Sequence, residues 1–242
     1  MKILLISQYF YPENFKINDL IFSLKKRGHE ITVLTGKPNY SKTYFFEGYG
    51  WKSDDFETIN DIPVYRANLF SRRNGGAIRL FLNYISFAIL ASFKVRKIKS
   101  SFDAIFVYQT SPVTVGIPAI FAKKLFKTPI YFWVQDLWPE SLTAAGGVNN
   151  KLVLGFFNSL TKWIYNKSKK VLIQSEGFRE YILSQGIPND KIIFYPNPTE
   201  DFYKPLQEVK EYQEFFQNEF FNIIFAGNIG EAQSFKTIIK AI

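Results

Sequence analysis

The sequence has no cysteine and a single histidine, His29. The first absence excludes disulfides, thiolate zinc sites and cysteine nucleophiles. The second removes every paired-histidine metal motif and leaves a Ser-His-Asp triad without support. Three fixed-place nucleotide and hydrolase motifs are also missing: GxGxxG after the first strand, GxxxxGK[ST], and the GxSxG elbow. Dehydrogenase, P-loop NTPase and α/β-hydrolase readings therefore lack their machinery. The start of the chain shows no signal-peptide pattern. The apolar, uncharged stretch at residues 80–93 is shorter than the roughly 20 residues a spanning helix needs. A cytoplasmic protein that touches a membrane peripherally is the expectation.

What is present is aromatic and basic. The 242 residues include 26 Phe, 14 Tyr and 30 Lys+Arg, at a formal net charge of +9. Such a balance points to phosphate-bearing partners. A nucleic-acid binder would show a lysine stripe interleaved with exposed aromatics, whereas most aromatics here fall in core-like segments. A non-catalytic basic binding protein remains as an alternative, but no nucleic-acid partner is expected.

Strand and helix signals alternate along the chain. Short apolar runs at residues 2–7, 29–35, 62–70, 103–109, 129–135, 170–174 and 191–195 read as strands. Between them, residues 15–27, 77–99, 113–127, 151–167 and 178–185 carry apolar residues at helical spacing. Repeated strand–helix units predict an α/β fold with a doubly wound, Rossmann-like parallel sheet. Both faces of such a sheet are covered, which explains continuous apolar strands without alternation. This domain is assigned to residues 1–196. A proline-framed, charged connection occupies 197–221, and 222–242 reads as one further βα unit with its strand at 222–226, the opening of a truncated second Rossmann-like domain.

Ligands of open parallel sheets bind outside the carboxyl ends of the strands. The segments there are polar: Gln8 to Phe15, Gly36 to Tyr40, Gln109-Thr110-Ser111-Pro112, and Gln135-Asp136-Leu137-Trp138-Pro139-Glu140-Ser141. Four blocks in order, ISQYFYPE at 6–13, RGHEITVLTGKPNY at 27–40, VQDLWPES at 134–141 and FAGNIGEAQ at 225–233, together with TSPVTVG at 110–116, resemble the family 4 glycosyltransferases of O-antigen and capsule assembly. The resemblance spans the whole chain. It implies a GT-B fold, a nucleotide-sugar donor, retention of configuration, no metal or other cofactor, and a lipid-linked oligosaccharide acceptor at the inner membrane face. A GT-B nucleotide-sugar 2-epimerase shares the fold but needs more histidines. The chain departs from family habit at Asn14-Phe15, where glycine is frequent, and at Gln135, where histidine often precedes the aspartate. The basic pair and the Glu-x7-Glu motif of the family's donor domain are absent, so inactivity of this chain by itself is expected.

Candidate residues follow. Asp136 and Glu140 are the catalytic candidates: a carboxylate at a strand's end can orient or deprotonate a sugar hydroxyl, although Asp136 could equally cap the next helix. Tyr11, Glu13, Asn14, Gly227, Asn228 and Gly230 are assigned to the donor. Asn39, Tyr40, Gln109 and Ser111 are assigned to the acceptor. Arg72, Arg73, Lys94, Arg96 and Lys97 flank an apolar helix and are assigned to a lipid surface, with a core helix as the alternative.

Overall fold

The computed structural model describes residues 1–40, 44–73, 76–146, 148–199, 203–205, 220–227, 229 and 233–241. The chain divides into two units, Met1–Pro198 and Thr199–Ile242. The first is built on eight strands: β1 (Lys2–Ser7), β2 (Glu30–Gly36), β3 (Phe56–Ile59), β4 (Ile62–Ala67), β5 (Ala104–Gln109), β6 (Ile130–Val134), β7 (Lys170–Ile173) and β8 (Ile192–Phe194). They form one sheet in the order β3-β4-β2-β1-β5-β6-β7-β8. Every neighbouring pair is parallel except β3 and β4. The expected doubly wound α/β architecture is what the chain adopts.

Helices α1 (Lys16–Lys26), α2 (Ala77–Lys94), α3 (Gly116–Phe126), α4 (Glu140–Gly146), α5 (Lys151–Lys167) and α6 (Arg179–Ser184) connect the strands. Successive strand residues serve opposite faces. Leu4 and Ile6 of β1 join a cluster with Phe87 and Ala91 of α2, Ala119 of α3 and Ile164 of α5. Leu5, between them, joins Ile17 and Ile21 of α1 on the other side. Both side-chain sets are buried, so the strand reads as an unbroken apolar run.

Two close backbone approaches fix the layers. A Cβ at Gly36 would stand 2.9 Å from the Gln8 carbonyl oxygen, and one at Gly116 would stand 2.6 Å from Ile164 Cγ2. Glycine is what lets the ends of β1 and β2, and the α3–α5 pair, come together.

Two features depart from the sequence reading. The segment before β4, where no strand is assigned, supplies β3, which pairs antiparallel with β4 through a tight turn at Asn60 and Asp61, whose φ values are 48° and 59°. Asn-Asp between two β-branched stretches is a hairpin signal, since both residue types tolerate left-handed backbone. Residues 222–226 form no strand: they carry no regular secondary structure and are exposed. Among the described residues no strand runs alongside them, so their backbone groups have no ladder to join. Helix α7 (Phe235–Ala241) does form in the second unit, with Phe235 edge-on to Phe225 at 4.7 Å.

Candidate functional site

The sheet reverses direction between β1 and β5: from β1 the chain moves outward to β2 and β4, and α2 then carries it back across to β5. That reversal opens a crevice at the carboxyl ends of the strands, the place where such sheets bind ligands.

On the β1–β2 side the crevice wall is a buried polar network. Gln8 Nε2 donates to Asn83 Oδ1 at 2.7 Å, and Asn83 Nδ2 donates to Asn39 Oδ1 at 3.0 Å and to the Phe70 carbonyl at 2.6 Å. Glu13 joins it by accepting hydrogen bonds from the Asn39 and Tyr40 backbone N–H groups. Its second oxygen, Oε2, is buried without a partner. Burial pushes the Glu13 carboxyl up to about 7, even though the Tyr40 and Asn39 amides pull it down.

Arg66, fully buried, holds the same loops from beneath. Its Nε donates to Glu57 at 2.6 Å and Nη1 to the Gly36 carbonyl at 3.2 Å, while Nη2 reaches the Tyr11 carbonyl. Lys37 turns inward to the Ser53 carbonyl and hydroxyl at 2.8 and 2.7 Å.

On the β5–β7 side, strand after strand ends in glutamine. Gln109 Nε2 donates to the Asp136 carbonyl at 3.1 Å, and Gln174 Nε2 donates to the Gln135 carbonyl at 2.8 Å. These amides stitch adjacent loops where the backbone ladder stops. Among the described residues Gln8 Oε1, Gln109 Oε1 and Gln135 Nε2 remain buried and unpartnered, an arrangement that suits a hydroxyl-rich ligand. Asp136 stands at the end of this row, half-buried. Among the described residues its carboxylate accepts no hydrogen bond, and burial alone raises it to about 6. It caps no helix here. Its charge, after burial, also raises Tyr108, to about 12.

The sequence-assigned residues fall into distinct places. Glu13, Asn39 and Tyr40 come together. Gln109 meets the Asp136 backbone, and Ser111 lies half-buried just past β5. Asn39 is fully buried with its side chain engaged by Lys37 and Asn83, so it positions the loop. Tyr11 and Asn14 are exposed. Glu140 is exposed at the start of α4 and turned toward α5 and α6: after burial, it is the group that raises the Tyr165 and Tyr181 phenols. Gly227 is described and exposed, whereas Asn228 and Gly230 lie outside the described residues.

The cationic set assigned to a lipid surface separates, and part of it is corrected. Lys94 is 9% exposed and ion-paired to Asp55. Arg72 is held among tyrosines and does not reach outward. Arg73, Arg96 and Lys97 are exposed, Lys97 within 3.4 Å of Asp55. The helix between them is longer than its uncharged stretch: Ile78–Lys97 is long and apolar enough to cross a membrane, by length and composition alone, and 39% of its most apolar part is buried inside the protein. It buries one face, Phe87, Ala91 and Val95, in the core. The opposite stripe of Ile78, Phe81, Ile89 and Phe93 is exposed.

Sequence reasoning passed over Asn83, Arg66 and Lys37, and misplaced Arg72. The Gln8, Gln109, Gln135 and Gln174 repeat at strand ends was a legible signal.

This crevice on a doubly wound sheet is the N-terminal Rossmann-like architecture of GT-B proteins. The chain belongs to the glycosyl transferase 4-like domain family, whose model matches residues 16–198. No curated protein matches it in sequence. Among solved structures it is similar to sucrose-phosphate synthase of Thermosynechococcus elongatus, at TM-score 0.52 and 14% identity over 81% of this chain and 47% of that one. It is also similar to Anabaena HepE in complex with UDP and glucose, at TM-score 0.51 and 13% identity over 89% and 50%. At such identities the likeness establishes the fold, and the chain spans about half the length of each. A UDP-GlcNAc 2-epimerase from Methanocaldococcus jannaschii lies at TM-score 0.48, too distant to favour the epimerase alternative.

Proposed function

We propose that this chain is the acceptor-side domain of a retaining, metal-independent glycosyltransferase. It would move a sugar from a nucleotide-sugar donor to a lipid-linked glycan of surface polysaccharide assembly at the cytoplasmic membrane face. Family membership supports sugar transfer, and the solved complex of HepE with UDP and glucose supports a UDP-type donor.

The observation that carries the reading is Asp136: a half-buried carboxylate with no hydrogen-bond partner among the described residues, at the carboxyl end of β6, beside the amides of Gln109 and Gln135. With its carboxyl near 6, it is ionised at neutral pH, yet basic enough to accept a proton from, or orient, an acceptor hydroxyl. Glutamine amides left unpartnered nearby suit sugar hydroxyls. The lipid-facing part of the reading is supported by the exposed apolar stripe of α2, followed by the exposed Arg96 and Lys97. The test is a transfer assay on the whole protein with labelled UDP-sugars and polyprenyl-diphosphate-linked acceptors. Transfer by the wild type that falls at least about a hundredfold in Asp136→Asn supports the reading. Full activity in that variant sinks it.

A further inference from the structure

Arg72 occupies a position its neighbours do not account for. Its Nη2 donates to the Tyr9 hydroxyl at 2.8 Å and the Tyr84 hydroxyl at 2.9 Å. Its guanidinium carbon lies 5.4, 4.8 and 5.6 Å from the ring centroids of Tyr9, Tyr40 and Tyr84. Those rings come from three elements: the loop after β1, the loop after β2, and α2. Tyr84 in turn packs edge-on against Trp138 of the loop after β6. The cation therefore stands where four walls of the crevice converge.

Among the described residues no carboxylate pairs with it. Among those residues Nε is buried without a partner and Nη1 makes no hydrogen bond. Taking a guanidinium partly out of water without a counter-charge is unfavourable, and the three rings compensate only in part, through cation–π attraction. The rings also fix the guanidinium plane. With Nη2 engaged by two hydroxyls and Nε buried, what they leave free is Nη1, whose N–H groups can donate to a phosphate oxygen.

We infer that Arg72 is an anion-binding residue for the diphosphate of a lipid-linked acceptor. The neighbourhood favours the acceptor over the nucleotide as the source. Arg72 precedes α2 by a few residues, and the exposed apolar stripe of that helix begins at Ile78 and Phe81. A prenyl chain emerging from a diphosphate on Arg72 meets apolar surface at once. This assignment rests on the glycosyl-transfer reading for the identity of its ligand, and names the subsite that anchors it.

Calorimetry on the 242-residue chain tests it with three probes: inorganic diphosphate, geranyl diphosphate and UDP. Inorganic and geranyl diphosphate should bind the wild type, geranyl diphosphate more tightly. Arg72→Gln should weaken both by about tenfold or more, the scale of a lost charge-assisted pair, with Arg72→Lys in between. Circular dichroism checks that the variants fold. Should Arg72→Gln fail to fold, Tyr84→Phe removes one hydroxyl holding the guanidinium and should weaken binding by a few-fold. Unchanged diphosphate binding in the folded variants means the arginine only packs the rings, and overturns the inference. So does a wild type that binds neither diphosphate, or one in which Arg72→Gln weakens UDP alone. No transfer activity enters this readout. A failed transfer assay therefore sinks the functional reading alone, and an unaffected Arg72→Gln sinks the subsite alone.

Discussion

The Glu13 carboxylate accepts hydrogen bonds from the Asn39 and Tyr40 backbone N–H groups at 2.8 and 2.6 Å, locking the loop after β1 to the loop after β2. The carboxyl is 1% exposed and raised by burial to about 7, above its ordinary value near 4.5. A group raised in the folded state contributes stability that is complete below its unfolded pKa and lost as pH climbs through the folded one. Thermal stability should therefore fall between about pH 4.5 and pH 7, by at most about 3 kcal/mol from this group. Glu13→Gln should flatten that slope. Glu13→Ala orphans two buried N–H groups and should cost about 2–4 kcal/mol. A melting-temperature series across this window checks all three.

Asp136 should trade stability against activity. Burial holds its carboxyl near 6, so at pH 7.5 the folded chain carries an ionised group it accommodates poorly. Asp136→Asn should raise stability there, on the order of 1 kcal/mol after discounting for the solvent that still reaches it. The gain should vanish below about pH 4, where the wild-type group is protonated in both states. Transfer by the wild-type protein should decline as pH drops through about 6. Denaturant melts at two pH values and a pH–rate profile provide the measurements.

Arg66 should prove among the least replaceable surface-loop anchors. It joins Glu57 of β3, the Gly36 carbonyl at the end of β2 and the Tyr11 carbonyl, with its own side chain fully buried. Removing it takes the counter-charge from Glu57 and the donors from two carbonyls, and empties a fully buried site, so Arg66→Ala should cost about 3–5 kcal/mol. Glu57→Gln, at a partly exposed partner, should cost distinctly less. Equal costs in urea titrations would contradict this asymmetry.

Gly116→Ala should destabilise by about 1–3 kcal/mol, because the new methyl group meets Ile164 of α5 with no room between them. Pairing it with Ile164→Ala should cost less than the two single changes combined. Additive costs in that cycle would show that the collision is not the cause.

The exposed face of α2 should carry any lipid contact. Vesicles with anionic headgroups should sediment with the protein at low salt and release it as ionic strength shortens the screening length. Replacing Phe81, Ile89 and Phe93 with Ser, together with Arg96→Gln and Lys97→Gln, should weaken sedimentation at least about tenfold while leaving the fold intact, since these side chains are exposed. Undiminished sedimentation would place the contact elsewhere.

Local chemistry carried much of this protein in its sequence. Continuous apolar runs such as those of β1 and β6 need two covered faces, and helix-spaced segments such as α5 between them leave a doubly wound parallel sheet as the consistent solution. Strand ends are readable from where apolar runs stop, so the order of residues along the chain suffices to put Gln8, Gln109 and Asp136 at the crevice. The strand at 222–226 was not decided this way, because a strand exists only through its partner's hydrogen bonds and propensity alone supplies none. Nor could the sequence say which cations face water. Arg72, Lys94 and Arg96 share a charge and a neighbourhood in the chain, yet one stacks among tyrosines, one pairs with Asp55, and one remains outside. That division depends on residues distant in sequence: Tyr9 and Tyr40 for Arg72, Asp55 for Lys94. Only the packing of the loops against α2 brings them within reach, because electrostatic and hydrogen-bond energies are set by distance and solvent access in space.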